Sequence, residues 1–315
     1  MYTRYKRNTK CRRILGDTVG GNEMNNSLEL KALAKINLGL DVLGVRENGY
    51  HDVRMVMQTI YLYDNVTLTK TEEAGIQLKT NLHYLPVDEK NIAYKAAKML
   101  IEEFQIEAGV EIILDKHIPV AAGMAGGSSN AAAVLVGMNR LFGLGLSQQE
   151  LMDRGVKLGA DVPYCIMRGT VLAEGIGEIL TPLAPMPKCF ILVAKPSISV
   201  STKTVYEKLD AKKIEDHPNI DGVISGLHEG DLRKVANSMG NVLERVTAED
   251  YPIIEELKQV MKEEGALNAM MSGSGPTVFG IYDDKEVARK AQQKIKELGL
   301  TKQVYVVNVH NNRRK

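Results

Sequence analysis

The segment PVAAGMAGGSSNAAA, residues 119–133, has the composition of an anion-binding turn. It lies between a strand-like stretch and a helix-like one, and glycines at 123, 126 and 127 let the backbone approach a ligand closely. The first amides of a helix converge on one spot at the positive end of the helix dipole, where phosphate binds well. The pattern predicts a phosphate cradle. A Gly/Ala-rich turn that only packs tightly is the structural alternative.

Two other residues have types that phosphoryl transfer would use. Asp161 in GADVP is a candidate base, because a carboxylate can accept a hydroxyl proton while the hydroxyl oxygen bonds to phosphorus. Asp followed by Val-Pro also commonly opens a helix, so an N-cap is the plainer interpretation. Lys35 stands between Ala34 and Ile36 in an apolar stretch, where a solvent-facing strand lysine is the usual explanation. Spacing alone favours the plainer interpretation for both residues.

Three segments together resemble the motifs of a known kinase family. The chain has neither GxxxxGK[ST] nor a GxGxxG that leads a strand-helix-strand unit. Instead, PxxxGxxGGSSNAA is similar to the central motif of the GHMP kinases, the family of galactokinase, homoserine kinase and mevalonate kinase. AKINLGLDVLG resembles the first motif, and MMSGSGPTVFG resembles the third, which in these kinases folds back beside the phosphate loop. The resemblance runs from about Leu28 to about Val309.

Within the family, KINLGLDVLGVRENGYHDVRMVMQTI paired with GADVPYCIMRGTVLAEGIGEIL is most similar to kinases of the non-mevalonate isoprenoid route. This resemblance implies ATP-dependent phosphorylation of the 2-hydroxyl of a cytidine-diphosphate-linked methyl tetritol, with ATP and magnesium as cofactors. No glutamate partner for magnesium can be placed, so the protein ligands of the metal stay open. Another small-alcohol kinase of the family, of homoserine or mevalonate type, is an alternative. A non-catalytic RNA-binding protein with the same N-terminal fold is a second.

The resemblance also assigns catalytic and nucleotide-binding residues. Lys35 and Asp161 would be the catalytic pair, with the lysine beside the aspartate and its charge stabilising the transferring phosphoryl group. A serine hydroxyl at the start of the helix could bond a phosphate or reach its magnesium ion. The nucleotide-binding set is Pro119, Val120, Ala121, Ala122, Gly123, Met124, Ala125, Gly126, Gly127, Ser128 and Ser129.

Five further residues match positions that bind the acceptor in the family. Asn37 would hydrogen-bond the substrate, His51 would bond the cytosine edge, and Tyr50 would pack on the cytidine. Tyr206 matches an aromatic that stacks on cytosine, and Thr202 would bond the sugar or the diphosphate. Without the resemblance, NGYH is a hairpin turn and Tyr206 a residue of a packed helix face.

The order of strand-like and helix-like stretches predicts an α+β fold in two domains. The implied GHMP kinase fold has a ribosomal-protein-like N-terminal βαβ domain, expected over 27–185. A C-terminal domain with a helix-backed antiparallel sheet is expected over 186–309. Residues 1–26 have neither apolar periodicity nor caps, so they are expected to be a disordered basic head or the product of an upstream start, with Met24 as a plausible second start codon. A basic tether is the second choice and an organelle transit peptide the last.

Composition narrows the class of protein. The chain has 40 Lys and Arg against 39 Asp and Glu, and six of the basic residues fall in MYTRYKRNTKCRR, so the remainder is mildly acidic. A nucleic-acid ligand is therefore not expected. Three scattered cysteines fit neither a disulfide framework nor a zinc site, and no apolar run is long enough to span a membrane. We expect a cytoplasmic monomer or homodimer that binds a small molecule.

Overall fold

A computed structural model describes residues 26–47, 49–209 and 214–312. The basic head predicted over 1–26 lies outside the described residues, apart from Asn26, as does Asn48 of the NGYH turn. The strands are β1 Ser27–Val45, β2 His51–Thr71, β3 Ile76–Thr80, β4 Gly109–Asp115, β5 Thr170–Glu174, β6 Ile179–Pro182, β7 Phe190–Lys195, β8 Gly240–Asn241, β9 Asn268–Met271, β10 Val278–Tyr282 and β11 Gln303–Asn308. The helices are α1 Ile92–Phe104, α2 Gly126–Leu141, α3 Gln148–Gly155, α4 Val162–Met167, α5 Thr202–Lys208, α6 Ile220–Glu229, α7 Leu232–Ser238, α8 Val242–Asp250, α9 Ile253–Glu263 and α10 Lys285–Glu297.

The strands form two sheets. In the first sheet the order is β3-β4-β2-β1-β8, with β5 paired to β2 and β6 paired to β5. In the second sheet the order is β11-β7-β10-β9, and all its pairs are antiparallel. The α+β class and the helix-backed antiparallel sheet of the second half are therefore confirmed. The predicted division near residue 185 falls between β6 of the first sheet and β7 of the second, although β8 later in the chain pairs with β1 of the first sheet. The domain limits themselves stay a prediction.

The helix patterns read from the sequence fold as amphipathic elements. In α1 the side chain of Asn91 accepts from the Ala93 amide, and Ala93, Ala96, Ala97 and Leu100 are buried. In α3 the Ser147 and Glu150 pair forms a complete capping box. Helices α1 and α2 pack against each other, and α2 covers β1 and β2. The start of α2, and with it the glycine-rich segment, is thereby fixed relative to β1.

Strand β1 is buried on both of its faces over the stretch that contains Lys35. All residues from Ala32 to Val42 are buried, because Ala34, Ile36 and Leu38 belong to one apolar cluster while Ala32 and Leu40 belong to the other. The register shifts between Leu33 and Ala34 and again between Asn37 and Gly39 change which side chains face each cluster. Lys35 lies within this stretch and is only 5% exposed.

The chain after β11 returns to β2 and ties the two sheets together. Val309 forms a bridge with Ile60, and the His310 amide donates to the Thr59 carbonyl (2.8 Å). The His310 ring meets the Tyr61 ring edge-on, with centroids 5.0 Å apart. No helix among the described residues combines the length and the apolar character needed to cross a bilayer.

His310 gives the fold a specific sensitivity to acid. Burial, with the nearby positive charge of Arg168, lowers the pKa of His310 to about 4, although a hydrogen bond that the imidazole donates to the Asn312 side chain opposes the shift. Between about pH 6.5 and pH 4, the unfolded chain, with a histidine pKa of about 6.5, therefore binds a proton at this residue, whereas the folded chain does not. The contribution of neutral His310 to the free energy of unfolding is complete above about pH 6.5 and is lost as the pH falls from there toward about 4.

We expect His310→Phe, which keeps a ring against Tyr61 but cannot titrate, to remove this part of the pH dependence. Urea unfolding of both proteins at pH 7 and pH 5 measures it: the free energy of unfolding should fall more for the wild type than for the variant. Parallel losses in the two proteins would contradict the assignment.

Candidate active site

One cavity of about 870 Å³ brings most of the predicted site residues together. Lys35 and Asp161 both line it, as do the acceptor candidates Tyr50, His51, Thr202 and Tyr206. From the glycine-rich segment, the lining residues are Pro119, Val120, Ala121, Ala122, Gly123, Ala125, Gly126, Gly127 and Ser128. Met124, Ser129 and Asn37 do not line it; they are buried at 1%, 3% and 0% exposure.

The segment 119–127, called the phosphate loop below, leads into the start of α2. None of the described side chains caps this helix start. Helix α2 begins at Gly126, slightly earlier than the serines suggested, and its N-cap residue Ala125 has φ +55° with no side-chain capping bond. Ala121 also has a positive φ, +51°. Two alanines in this uncommon conformation turn the backbone sharply toward the cavity. The first amides of α2 thus lack a protein side-chain acceptor at the place where an anion would lie.

Gly123 is required by its contact with the third glycine-rich motif. A Cβ at this position would lie 2.2 Å from the Ser272 carbonyl oxygen, and φ is +70°. The Ser272 hydroxyl donates to the Gly123 carbonyl (3.1 Å). The predicted return of the third motif to the side of the phosphate loop is therefore present. At Gly126 and Gly127 the nearest atoms to a Cβ would be 3.1 Å and 3.5 Å away, so the close backbone packing is specific to Gly123.

The two serines that open α2 have different surroundings. Ser129 is buried, and its hydroxyl donates to the Leu33 carbonyl of β1 (2.7 Å). Ser128 lines the cavity. Ser128 is therefore the hydroxyl that a phosphate or its metal ion could reach, while Ser129 fastens the helix start to β1.

Lys35 is buried, with 5% exposure, and its ammonium group donates to Asn37 Oδ1 (2.7 Å). Its backbone amide donates to the Met124 carbonyl (3.2 Å), which joins β1 to the phosphate loop. The Asn37 amide nitrogen faces Met55 Sδ (3.5 Å). The solvent-facing alternative for Lys35 is thus wrong. Asn37 holds the Lys35 ammonium group through this hydrogen bond. A direct contact of Asn37 with the acceptor stays a prediction.

Asp161 occupies the N-cap position of α4 without serving as a cap. Its backbone is helical (φ −81°, ψ −11°), and its side chain makes no capping hydrogen bond, although Pro163 follows as the sequence pattern requires. The carboxylate is consequently available to the cavity. Burial raises the pKa of Tyr206 to about 12, and the charge of Asp161 adds to the shift. Both side chains line the cavity.

Lys35 and Asp161 converge on one region. Burial raises the pKa of the Cys165 thiol, the Asp161 charge raises it further, and the Lys35 charge opposes the shift. Both charges therefore act on the same buried sulfur. Lys35 bonds to Asn37 and not to Asp161, so among the described residues the two groups face one cavity without a close ion pair.

Another part of the cavity lining carries aromatic rings. The rings of His51 and Tyr206 have centroids 4.9 Å apart at an angle of 50°. Tyr50 is 59% exposed at the cavity rim. Thr202, at the start of α5, shares a hydrogen bond with the Ser274 hydroxyl (2.8 Å). This part of the lining can hold a flat ring by stacking and bond its edge through the imidazole.

A buried charged network below the phosphate loop was missed by the sequence analysis. Lys116 lines the cavity and donates to Asn130 Oδ1 (2.7 Å) and to Asp64. Asp64 is fully buried and also accepts from the amides of His117 (2.7 Å) and Ile118 (2.8 Å). A signal existed: alternation along β4 buries Val110, Ile112 and Leu114 and continues to Lys116.

Few oxygen ligands for a metal ion line the cavity. Its carboxylates are Asp161 and Glu207, and the described residues contain no cluster of three or more His, Cys, Asp or Glu side chains suited to a metal. Mg²⁺ commonly keeps several waters and is held by one or two protein oxygens together with substrate phosphates. The oxygen atoms of the cavity lining therefore suit a Mg²⁺ ion held mainly by water and phosphate. Its two carboxylates are too few to surround the ion by themselves.

Two family models and several curated proteins match this chain. Residues 91–169 match the family model "GHMP kinases N terminal domain", and residues 223–300 match "GHMP kinases C terminal". The chain is 58% identical to 4-diphosphocytidyl-2-C-methyl-D-erythritol kinase of Lachnospira eligens, over 89% of this chain and 97% of that protein. It is 56% identical to the same-named protein of Lachnoclostridium phytofermentans, over 84% and 91%.

Solved structures show the same fold. A crystal structure of 4-(cytidine 5'-diphospho)-2C-methyl-D-erythritol kinase has a TM-score of 0.78 at 29% identity, covering 90% of this chain and all of that one. Homoserine kinase from Cytophaga hutchinsonii has a TM-score of 0.76 at 23% identity, covering 94% and 98%, and supports the fold alone.

Replacement of Gly123 should damage the contact between the two glycine-rich segments. In Gly123→Ala the new Cβ meets a backbone oxygen in a left-handed conformation, so we expect the free energy of unfolding to fall by about 2 kcal/mol or more. Gly127→Ala is the matched control, because its Cβ would make only an ordinary contact with Ile92. Urea titration measures both variants, and equal stabilities would contradict the packing role of Gly123.

Proposed function

The chain belongs to the GHMP kinases, and we propose that it is a 4-diphosphocytidyl-2-C-methyl-D-erythritol kinase. It transfers the γ-phosphoryl group of ATP to the 2-hydroxyl of that acceptor, a step of the non-mevalonate route to isoprenoid precursors. The observation that carries the proposal is the single cavity, in which an uncapped helix start, the Lys35 and Asp161 pair and the His51 and Tyr206 rings all meet. Identities of 50% or more to several same-named proteins support the choice of acceptor.

The residues divide the reaction between them. The amides at the start of α2 hold the phosphates of ATP, and Asp161 accepts the proton of the attacking hydroxyl as its oxygen bonds to phosphorus. Lys35, held by Asn37, stabilises the negative charge on the transferring group. Because this chemistry depends on position and charge, the rigidity of β1 and of the phosphate loop contributes directly to the rate.

Magnesium is part of the proposed reaction. Ser128, near the start of α2, and Asp161 both line the cavity and would share the ion with the phosphates of ATP. Bound there, the ion would neutralise charge on the phosphate oxygens.

The aromatic part of the cavity lining would give the enzyme its specificity. His51 can bond the edge of a base, while Tyr206 supplies a face on which it stacks; the family alternatives, homoserine and mevalonate, have no base. An acceptor without a base would leave the imidazole unpaired, so the geometry favours the cytidine-linked substrate over these two. The proposed location is the cytoplasm, because the three scattered cysteines form no disulfide framework in the sequence. A monomer or homodimer without a nucleic-acid ligand stays a prediction.

The direct test is ATP consumption with 4-diphosphocytidyl-2-C-methyl-D-erythritol, compared with homoserine, galactose and mevalonate under the same conditions. Turnover with the cytidine-linked acceptor alone supports the proposal. Preference for any of the other three would overturn it, and RNA retention on a filter at physiological salt without turnover would favour the binding-protein alternative.

Removal of the base should slow the chemical step. We expect Asp161→Asn to reduce kcat by about 10²–10⁴-fold, because the amide cannot accept the hydroxyl proton. Its affinity for ATP should stay close to that of the wild type, since the helix amides remain. Steady-state kinetics and calorimetric ATP titration measure the two quantities, and near-normal turnover would show that Asp161 is not the base.

Removal of the stacking ring should affect the acceptor and not the nucleotide. In Tyr206→Ala we expect KM for the cytidine-linked acceptor to rise by about 10-fold to 100-fold, the usual worth of one base stack, with KM for ATP unchanged. Tyr84→Ala is the control, because Tyr84 is 70% exposed and does not line the cavity. An equal change in both KM values would argue that Tyr206 only supports the fold.

A further inference from the structure

The third glycine-rich motif is held in place by one face of α8. The turn 271–275 (the glycine turn) follows β9, and its residues contact both the phosphate loop and Thr202. Asn241, Glu244 and Thr247 stand three residues apart at the start of α8, which puts them on one face of the helix. All three make hydrogen bonds to the backbone of the glycine turn.

Asn241 makes the central contacts. Its Oδ1 accepts from the Leu243 amide (3.0 Å) and so caps α8, while its Nδ2 donates to the carbonyls of Met271 (2.8 Å) and Gly273 (2.8 Å). Both N–H donors of the Asn241 amide group thus bond to the turn, and its oxygen bonds to the helix.

Glu244 and Thr247 fix the turn at two more points. The Glu244 Oε2 atom accepts from the Met271 amide (2.6 Å), and its other oxygen is paired with Lys258. The Thr247 hydroxyl lies 3.3 Å from the Ser274 carbonyl, as a donor. The first, middle and later residues of the glycine turn are therefore all tied to α8.

The glycine turn passes this constraint on to the site. Ser272 bonds the Gly123 carbonyl, and a Cβ on Gly273 would lie 3.3 Å from the Gly123 oxygen and 3.5 Å from Asn37 Oδ1, the atom that holds Lys35. Gly273 itself has φ +60°. A loss of the tie to α8 would free the turn to shift against both the phosphate loop and the support of Lys35.

We propose that Asn241 is a positioning residue for phosphoryl transfer: it caps α8 with its oxygen and, with its nitrogen, locks the glycine turn against Gly123 of the phosphate loop. Asn241 lies outside the cavity lining and touches neither substrate. Its kinetic part rests on the proposed function, because the enzyme must turn over for a positioning effect on the rate to be measured.

The test compares two asparagine caps in the same chain. Asn241→Ser keeps a capping oxygen but has a single, shorter O–H donor and cannot bond both carbonyls at once. Asn219→Ser is the matched control, because Asn219 caps α6 by accepting from the Gly222 amide (2.8 Å) and is exposed and outside the cavity lining. Should Asn241→Ser not fold, Asn241→Asp with the control Asn219→Asp takes its place, since aspartate keeps the volume and the capping oxygen.

We expect Asn241→Ser to raise KM for ATP roughly ten-fold, because the hydrogen bonds from Asn241 to the Met271 and Gly273 carbonyls are weakened or lost. Amide hydrogen exchange should quicken in 119–127 and 271–275, and the control should match the wild type in both measurements. Wild-type KM and exchange in Asn241→Ser, or equal changes in both variants, would overturn the proposal. If the wild type phosphorylates no acceptor, the proposed function fails, while exchange and calorimetric ATP binding still decide whether Asn241 holds the loop.

Discussion

The contact between Gly123 and the Ser272 carbonyl is the constraint on which the site depends. Two glycine-rich turns from distant parts of the chain approach so closely that a single Cβ would separate them. The Ser272 hydroxyl closes the contact by bonding the Gly123 carbonyl. Because one turn continues into α2 and the other is tied to α8, this contact sets the helix start relative to the second half of the molecule. The amides at the start of α2, which are proposed to bind phosphate, are positioned by this contact.

Two buried lysines near the phosphate loop differ in how their charge is compensated. Lys116 has a fully buried carboxylate partner in Asp64, so its charge is neutralised within the protein. Lys35 has a neutral hydrogen-bond partner in Asn37. A buried cation without a paired anion is costly, and an incoming anion that lies beside it recovers part of that cost. Lys35 is thus the cation suited to a phosphoryl group. Lys116 instead links Asp64 to Asn130 of α2.

The position of Asp161 follows a similar logic. Its place before Val-Pro is that of a helix cap, yet its helical backbone angles prevent the side chain from capping. The helix start is made by Pro163 and by backbone bonds, including the one from the Cys165 amide to the Asp161 carbonyl (3.0 Å). The carboxylate is therefore left for the cavity, which Tyr206 also lines.

Sequence alone determined what local chemistry can encode: the amphipathic helices, the capping box at Ser147, the glycine-rich turn before α2 and, through three motifs in order, the family and its fold. It could not separate Ser128 from Ser129, show that both faces of β1 are covered around Lys35, or link Asn241 to residues 271–275. Those features need segments far apart in the chain to meet, as when the Ser129 hydroxyl reaches the Leu33 carbonyl. Tertiary packing decided them, because burial and hydrogen-bond partners belong to pairs of segments and not to either segment by itself.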